Sequence, residues 1–259
     1  MIKAVILARG LGTRMRQLDS TAALTPEQAR VAESGIKGMM PIGRPFMDYI
    51  LSALADAGFR QVCLVIGPEH SEIREYYTRV PTTRLDIDFA IQEKPAGTAD
   101  AVAVGEAFVN GEDFLVLNSD NYYPVSALAA LRGIDGPGLA AFSSRHLVDS
   151  GIPRERVATF PLVETDPDGN LRTLGRLGDG GGYVSMNCWR FDCRIFDACR
   201  AIRRSARGEL ELPDAVTFAL ERLGVQFRVL PFDLGVLDIS SRADVPGVAD
   251  RLQHVQVRL

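Results

Sequence analysis

Ile2-Lys3-Ala4-Val5-Ile6-Leu7, followed at once by Ala8-Arg9-Gly10-Leu11-Gly12-Thr13-Arg14, is the stretch that decides how this chain is read. A short run that is apolar but for one lysine, rich in branched side chains, is the signature of a strand buried on both faces of a parallel sheet. Gly10 and Gly12 then let the chain turn tightly with backbone N–H groups exposed. A loop of this kind after a first strand is a place to hold phosphates. Arg14 closes it with a planar, permanently charged fork suited to phosphate oxygens. Spacing excludes two better-known glycine loops. No Lys-Ser or Lys-Thr follows the glycines, as a Walker loop requires, and the third glycine of a dinucleotide fingerprint is replaced by Met15. An ordinary strand-to-helix turn is the alternative reading of these residues.

Composition narrows the class. The chain has 259 residues, 46% of them hydrophobic, enough for one α/β domain with a substantial core. The net charge is −4 and there is no run of Lys or Arg. The most basic cluster, Arg200, Arg203, Arg204 and Arg207, reads as the solvated face of a helix, so nucleic-acid binding is disfavoured. No apolar stretch approaches the ~20 residues needed to span a bilayer, and the N-terminus lacks the apolar region of a signal peptide. The four cysteines, Cys63, Cys188, Cys193 and Cys199, form no C-x-x-C pair; with three scattered histidines they suggest no zinc site. The expectation is a reduced, cytoplasmic protein with no membrane partner.

Strand and helix patterns alternate through the first half. A helix is expected from Pro45 to Ala57, a strand at Val62–Ile66, a helix from near Pro68-Glu69, a strand at Leu85–Ile91, a helix at Ala99–Phe108, a strand at Phe114–Leu117, a helix at Pro124–Leu131 and a strand at Leu139–Phe142. Alternation at this spacing argues for right-handed crossovers and a mostly parallel sheet. Thr25-Pro26-Glu27 can start a further helix that would form a lid. The second half changes character. Val157–Val163 and Asn170–Leu174, joined by Asp166-Pro167-Asp168-Gly169, read as a hairpin. Gly180-Gly181-Gly182 introduces a strand at Tyr183–Phe191; helices follow from Asp192 through Ile202 and over Pro213–Leu223, then a strand at Val225–Leu230, and Ser241 can cap a last helix from Arg242 to about Leu252.

Leu7-Ala8-Arg9-Gly10-Leu11-Gly12-Thr13-Arg14 resembles the opening pattern L-A-[AG]-G-x-G-T-R of the sugar-phosphate nucleotidyltransferases, also called nucleotide-sugar pyrophosphorylases. Five further segments are similar to that family. Ile36-Lys37-Gly38-Met39-Met40-Pro41-Ile42 carries the lysine that, by the resemblance, lies between the nucleotide α-phosphate and the sugar phosphate; a point cation there offsets the repulsion of two polyanions. Gln92 through Ala101 resembles Q-x-x-x-x-G-[TL]-A. Glutamine carries a donor and an acceptor and can read a base edge, while Gly97 would let backbone approach the base; a Pro-Gly loop capped by Thr98 is the structural alternative. Asp120, at the carboxyl end of a strand where ligands of parallel sheets collect, matches a metal-binding aspartate, and Asp238 in Gly235-Val236-Leu237-Asp238-Ile239-Ser240-Ser241 matches a second one. Otherwise they are a turn aspartate and an aspartate at a helix start. Arg207-Gly208-Glu209-Leu210-Glu211-Leu212-Pro213-Asp214 resembles a block bordering the sugar pocket, with Pro213 in place of the usual threonine.

The resemblance implies an α/β fold with a Rossmann-like, mostly parallel sheet flanked by helices and a small β-rich, sugar-facing lobe at about 144–210. It implies one nucleotidyltransferase domain over 1–259, with a nucleotide half of about 1–143 and a sugar-facing half of about 144–259. It also implies an enzyme that joins a nucleoside triphosphate to a sugar 1-phosphate with Mg²⁺ and releases pyrophosphate. Arg14 and Lys37 would be catalytic. Leu7, Ala8, Gly10, Gly12, Thr13, Gln92, Gly97 and Thr98 would bind nucleotide, Asp120 and Asp238 the metal, and Asn121, Arg176, Asn187 and Glu209 the sugar. The match departs from the family at several points: Arg9 stands where Ala or Gly is usual, residues 15–36 are long, Leu174-Gly175-Arg176-Leu177 replaces the E-K-P segment, and Ser185-Met186-Asn187-Cys188-Trp189 replaces N-x-G-x-Y. The divergent second half leaves open transfer to another phosphate, such as phosphocholine or a cyclitol phosphate, or a non-catalytic nucleotide sensor. The nucleobase, the sugar and any homo-oligomeric state stay open.

Overall fold

Lys3–Leu7 forms the expected first strand (β1), buried along its whole length, in a computed structural model that describes residues 1–20, 22–178 and 181–259. The unbroken apolar run serves two cores at once, because successive side chains point to opposite faces. Ala4 and Ile6 pack with Phe46, Ile50 and Leu54 of the helix Phe46–Asp56. Val5 and Leu7 pack on the other face with Ala99 and Val102 of the helix Thr98–Val104.

The remaining strands are Gln61–Ile66 (β2), Asp86–Ile91 (β3), Phe114–Asn118 (β4), Asn121–Tyr122 (β5), Gly138–Ser143 (β6), Pro161–Thr165 (β7), Leu171–Arg176 (β8), Tyr183–Phe191 (β9), Arg228–Phe232 (β10) and Leu237–Asp238 (β11). Among the described residues the main sheet has nine strands, and its central path runs β10-β6-β9-β4-β1-β2-β3. β4, β1, β2 and β3 are parallel neighbours, and β10 is parallel to β6. Only β9 in this path runs against both its neighbours. The sheet is therefore mixed but mostly parallel, with β1 near the middle of its parallel half.

The second half corrects several expectations. Within residues 144–210, β9 is inserted into the central sheet itself, while the β7–β8 hairpin projects from it. Its turn is held as the sequence suggests, with the Asp166 carboxylate accepting from the Asp168 and Asn170 N–H groups. Strand β7 starts at Pro161 because Pro153 leads residues 154–157 into a helical turn. Strand β10 starts at Arg228 because the Val225 N–H still donates to Ala219, in the helix Leu212–Arg222. The last helix begins at Asp244, whose carboxylate accepts from the Ser240 and Ser241 N–H groups. The helix expected near Pro68 begins at Ser71, and the one expected over 99–108 breaks at Gly105. The helix after β9 ends at Ala201, so Arg203, Arg204 and Arg207 lie beyond it. Gly180 lies outside the described residues. No helix among the described residues is long and apolar enough to cross a membrane.

One contact ties the first loop to the long 15–36 segment. Thr25 and Gln28 form a reciprocal capping box on the helix Pro26–Ser34, which ends in left-handed Gly35. Gly35 packs on Gly12, itself at φ 60°, so closely that a Cβ on Gly12 would lie 2.3 Å from the Gly35 carbonyl oxygen. Two bare backbones meet there, and Arg16 reinforces the contact by donating to the Ser34 carbonyl. Gly12→Ala must strain φ and push backbone apart, at a cost of about 1–3 kcal/mol. Its thermal midpoint should fall by on the order of 5 °C. A midpoint within about a degree of wild type would show that the two loops are not in register.

Candidate active site

The carboxyl ends of β1, β3 and β4 open into a cavity of about 400 Å³, the place where open parallel sheets collect ligands. Residues 7–14 form one wall, and Leu7, Ala8, Gly10, Gly12, Thr13 and Arg14 all face it. Arg14 stands in the short helix Thr13–Arg16, exposed, and its side chain makes no hydrogen bond or ion pair to any described residue. Its guanidinium is thus free to meet an anion. The backbone hydrogen bond from Ser119 to Leu7 joins this wall to the end of β4.

Lys37 opens a single 3₁₀ turn, Lys37–Met39, two residues after Gly35. Its Nζ donates to Asp120 Oδ2 at 2.8 Å, with both side chains about one-fifth exposed. Burial alone would push the Lys37 ammonium down, but Asp120, aided by Asp238, more than offsets this and its pKa lies above the ordinary value. Lys37 therefore stays a cation at neutral pH.

Asp120 lines the cavity; Asp238 does not. The two residues are nevertheless neighbours. Strand β11 pairs antiparallel with β5, placing Asp238 opposite Asn121, and the Ile239 N–H donates to the Asp120 carbonyl. Asp238 is 7% exposed and both its oxygens are engaged. Oδ1 accepts from Asn121 Nδ2 and Ser240 Oγ, and Oδ2 accepts from Arg156 at 2.6 Å. Arg156 also grips Asp244 through both terminal nitrogens. Burial first, then the charge of Asp120, pushes the Asp238 carboxyl up to about 6 against the pull of Arg156 and Lys37.

This geometry bears on a metal. A hard divalent ion needs oxygen donors, one or two of them carboxylates, with phosphates and water completing its shell. Asp120 suits that role: Oδ1 makes no hydrogen bond to any described residue, and Oδ2 is held only by the movable Lys37. Asp238 stands behind it as a second negative charge, already clamped by Arg156. No group of three or more metal-ligating side chains occurs among the described residues, so a metal here would depend on substrate oxygens.

Gln92 and Gly97 line the opposite wall with Thr98. Thr98 is not the cap of its helix; Gly97 takes that position, and Thr98 Oγ1 accepts from the Leu212 N–H. Further bonds from Leu210 to Ala96 and from Ala99 to Leu210 stitch the Arg207–Asp214 block beside the Gln92–Ala101 block, which brings Glu209 into the cavity. Asn187 arrives by a different device. The β6–β9 register shifts between Leu139 and Ala141, and Asn187 sits in the irregular stretch with φ 58°. Such a bulge re-aims a side chain, and Asn187 lines the cavity.

Two residues assigned to a sugar are elsewhere. Asn121 is buried, and its amide serves Asp238. Arg176 is exposed at the end of β8, outside the cavity lining. Two neighbours went unnoticed in sequence. Asp100 accepts from Gln92 Nε2 at 2.7 Å, and it was visible as the aspartate within Gly97-Thr98-Ala99-Asp100. Arg156 belongs to no motif and gave no signal.

Comparison with known proteins shows the family and the fold. The nucleotidyl transferase family model matches residues 3–235, and the chain belongs to that family. It is 27% identical over 223 residues to a glucose-1-phosphate thymidylyltransferase of Streptomyces griseus, covering 85% of this chain and 58% of that one. It is 24% identical over 260 residues to the enzyme of the same name from Neisseria gonorrhoeae, covering 98% of this chain and 84% of that one. The chain thus spans little more than half the length of several relatives it matches, including the low-salt glycan biosynthesis nucleotidyltransferase Agl11 of Haloferax volcanii, at 57% of that protein. In fold it is similar to a UDP-glucose pyrophosphorylase solved with UDP-glucose, with a TM-score of 0.76 over 99% of this chain and all of the other, at 16% identity.

Arg156 generates a stability prediction. Arg156→Met leaves Asp238 buried without its cation, which should cost about 3 kcal/mol in urea unfolding at pH 8. Asp244 keeps its Ser240 and Ser241 donors. Asp238, already raised, rises further without Arg156, so its folded pKa lies above the unfolded one. The variant then loses stability as pH increases through the folded pKa, and the deficit should be clearly smaller at pH 5. An equal deficit at both pH values would contradict this assignment.

Proposed function

We propose that the chain transfers a nucleotidyl group from a nucleoside triphosphate to a sugar 1-phosphate with Mg²⁺, giving a nucleotide-sugar and pyrophosphate. The observation that carries this reading is the Lys37–Asp120 contact at 2.8 Å, set in a cavity walled by the Gly10–Arg14 loop. A free cation donor and a free carboxylate oxygen side by side are what two approaching phosphates and their counter-ion require. The family membership and the names of the relatives support the same chemistry.

On this reading an oxygen of the sugar phosphate attacks the α-phosphorus in line, and the bond to the pyrophosphate oxygen breaks. Such a reaction needs positioning and charge neutralisation more than covalent help. The N–H groups of Gly10–Thr13 and the unpaired Arg14 fork bind the β- and γ-phosphates. Lys37 turns from Asp120 to the reacting phosphates and offsets their repulsion. Asp120, with Asp238 behind it, would hold Mg²⁺, which when bound neutralises charge on the phosphate oxygens. Gln92 and Gly97 face the base, while Asn187 and Glu209 face the sugar.

Pyrophosphate release from a grid of nucleoside triphosphates and sugar 1-phosphates tests the proposal. At least one pair should turn over with Mg²⁺ and stop with a chelator. Lys37→Ala should lower kcat about a hundredfold or more, the scale of an aimed electrostatic contact, with folding little changed. Silence across the grid, or wild-type turnover in Lys37→Ala, would reject it.

A further inference from the structure

Arg9 is the charged residue of the phosphate-loop sequence whose side chain is built into the wall, whereas Arg14 is offered to solvent. The Arg9 side chain is 7% exposed. Its Nε and Nη2 donate to the two carboxylate oxygens of Glu69, each at 3.2 Å. The remaining nitrogen, Nη1, is buried and has no hydrogen-bond partner among the described residues, and Arg9 lines the cavity. A buried donor left unmade is costly. The pair lies over Gly67, where a Cβ would fall 2.5 Å from Arg9 Nε and 2.4 Å from a Glu69 oxygen. A bidentate clamp over a bare backbone fixes where Nη1 can be.

The sheet order shows which part of a nucleotide this donor meets. Asp120 follows β4, on one side of β1; Glu69 follows β2, on the other, and Gln92 follows β3 beyond it. Arg9 therefore leans away from Lys37 and Asp120 and toward Gln92. Glu69 also cancels the guanidinium charge, and its carboxylate would repel a triphosphate. A neutral acceptor suits the position better. Gln92 supplies the complementary group. Its Nε2 is spent on the Gly97 carbonyl at 3.1 Å and on Asp100 at 2.7 Å, so Oε1 is what it presents. The cavity thus holds a fixed donor and a fixed acceptor.

We propose that Arg9 is a nucleobase-specificity residue: its free Nη1 donates to a carbonyl or ring nitrogen of the base, and Glu69 is its positioning residue. This rests on the reading of the cavity as a nucleoside triphosphate site.

The test is calorimetric binding to the full chain, in Mg²⁺, of ATP, GTP, CTP, UTP, dTTP and inorganic pyrophosphate. Wild type should bind one triphosphate best. Arg9→Ala should shrink its preference over the next triphosphate about tenfold or more, the scale of one charge-assisted hydrogen bond, while the pyrophosphate Kd moves less than about twofold. Arg9→Gln, which keeps a planar amide donor without charge, should retain more of the preference than Arg9→Lys, which keeps the charge without the fork. Gly67→Ala, which displaces the pair but removes neither group, should also shrink the preference, and it decides the matter if Arg9→Ala does not fold. An unchanged preference in Arg9→Ala and Gly67→Ala would overturn the inference. So would a uniform loss across all triphosphates and pyrophosphate that Arg9→Lys restores, since that marks a phosphate contact. If wild type binds no triphosphate, the reading of the cavity itself fails, a result distinct from a wild type that binds and variants that do not discriminate less.

Discussion

Two opposite charges held 2.8 Å apart at the mouth of a parallel sheet organise this molecule. Lys37 and Asp120 lie 83 positions apart in sequence and are brought together at the carboxyl ends of β1 and β4. Asp120 keeps Lys37 charged, and their hydrogen bond holds both side chains in place. Neither is saturated: the lysine has further donors and the carboxylate a second oxygen. An incoming phosphate and an incoming cation can each take one partner, so a self-neutralised site becomes a polar clamp with little rearrangement. That economy fits the proposed chemistry, in which preorganised charge lowers the barrier.

The scaffold explains why the pair can form. Strand β1 is buried on both faces and carries the loop at its end, while β4 beside it carries Asp120. The capped helix Pro26–Ser34 and the Gly12–Gly35 contact deliver Lys37 to the same edge. Behind Asp120, the short β5–β11 pairing brings the C-terminal part of the chain back with Asp238, and Arg156 offsets the cost of burying that second carboxylate. The acidic pair is therefore asymmetric. Asp120 lines the cavity, whereas Asp238 is buried behind it, outside the lining.

Much of this could be read from the chain, and the failures have physical causes. The strand–loop at residues 2–14, the lysine before Met39-Met40-Pro41 and the aspartate after β4 are local features, each residue within one loop of the strand or turn that positions it. Residues 7–14, Lys37 and Asp120 all line the cavity. Tyr183–Phe191 was legible as a strand but not as the antiparallel centre of the sheet, because pairing partners are set by long-range packing that periodicity does not encode. Asn121 and Arg176 went astray for the same reason: one position beside Asp120, the chain has turned inward, and the edge hairpin carries Arg176 away. Arg156 was illegible because its role depends on meeting Asp238 and Asp244 across 82 and 88 positions of sequence.

The measurement closest to the central claim is a double-mutant cycle on Lys37→Met and Asp120→Asn, reading both unfolding free energy without ligand and triphosphate affinity with Mg²⁺. Coupling in stability should be strong, the double variant being no less stable than the worse single one, since each group's loss leaves the other charge unpaired. Each single substitution should also weaken triphosphate binding. Additive stability effects, together with triphosphate affinity unchanged in both single variants, would contradict that claim.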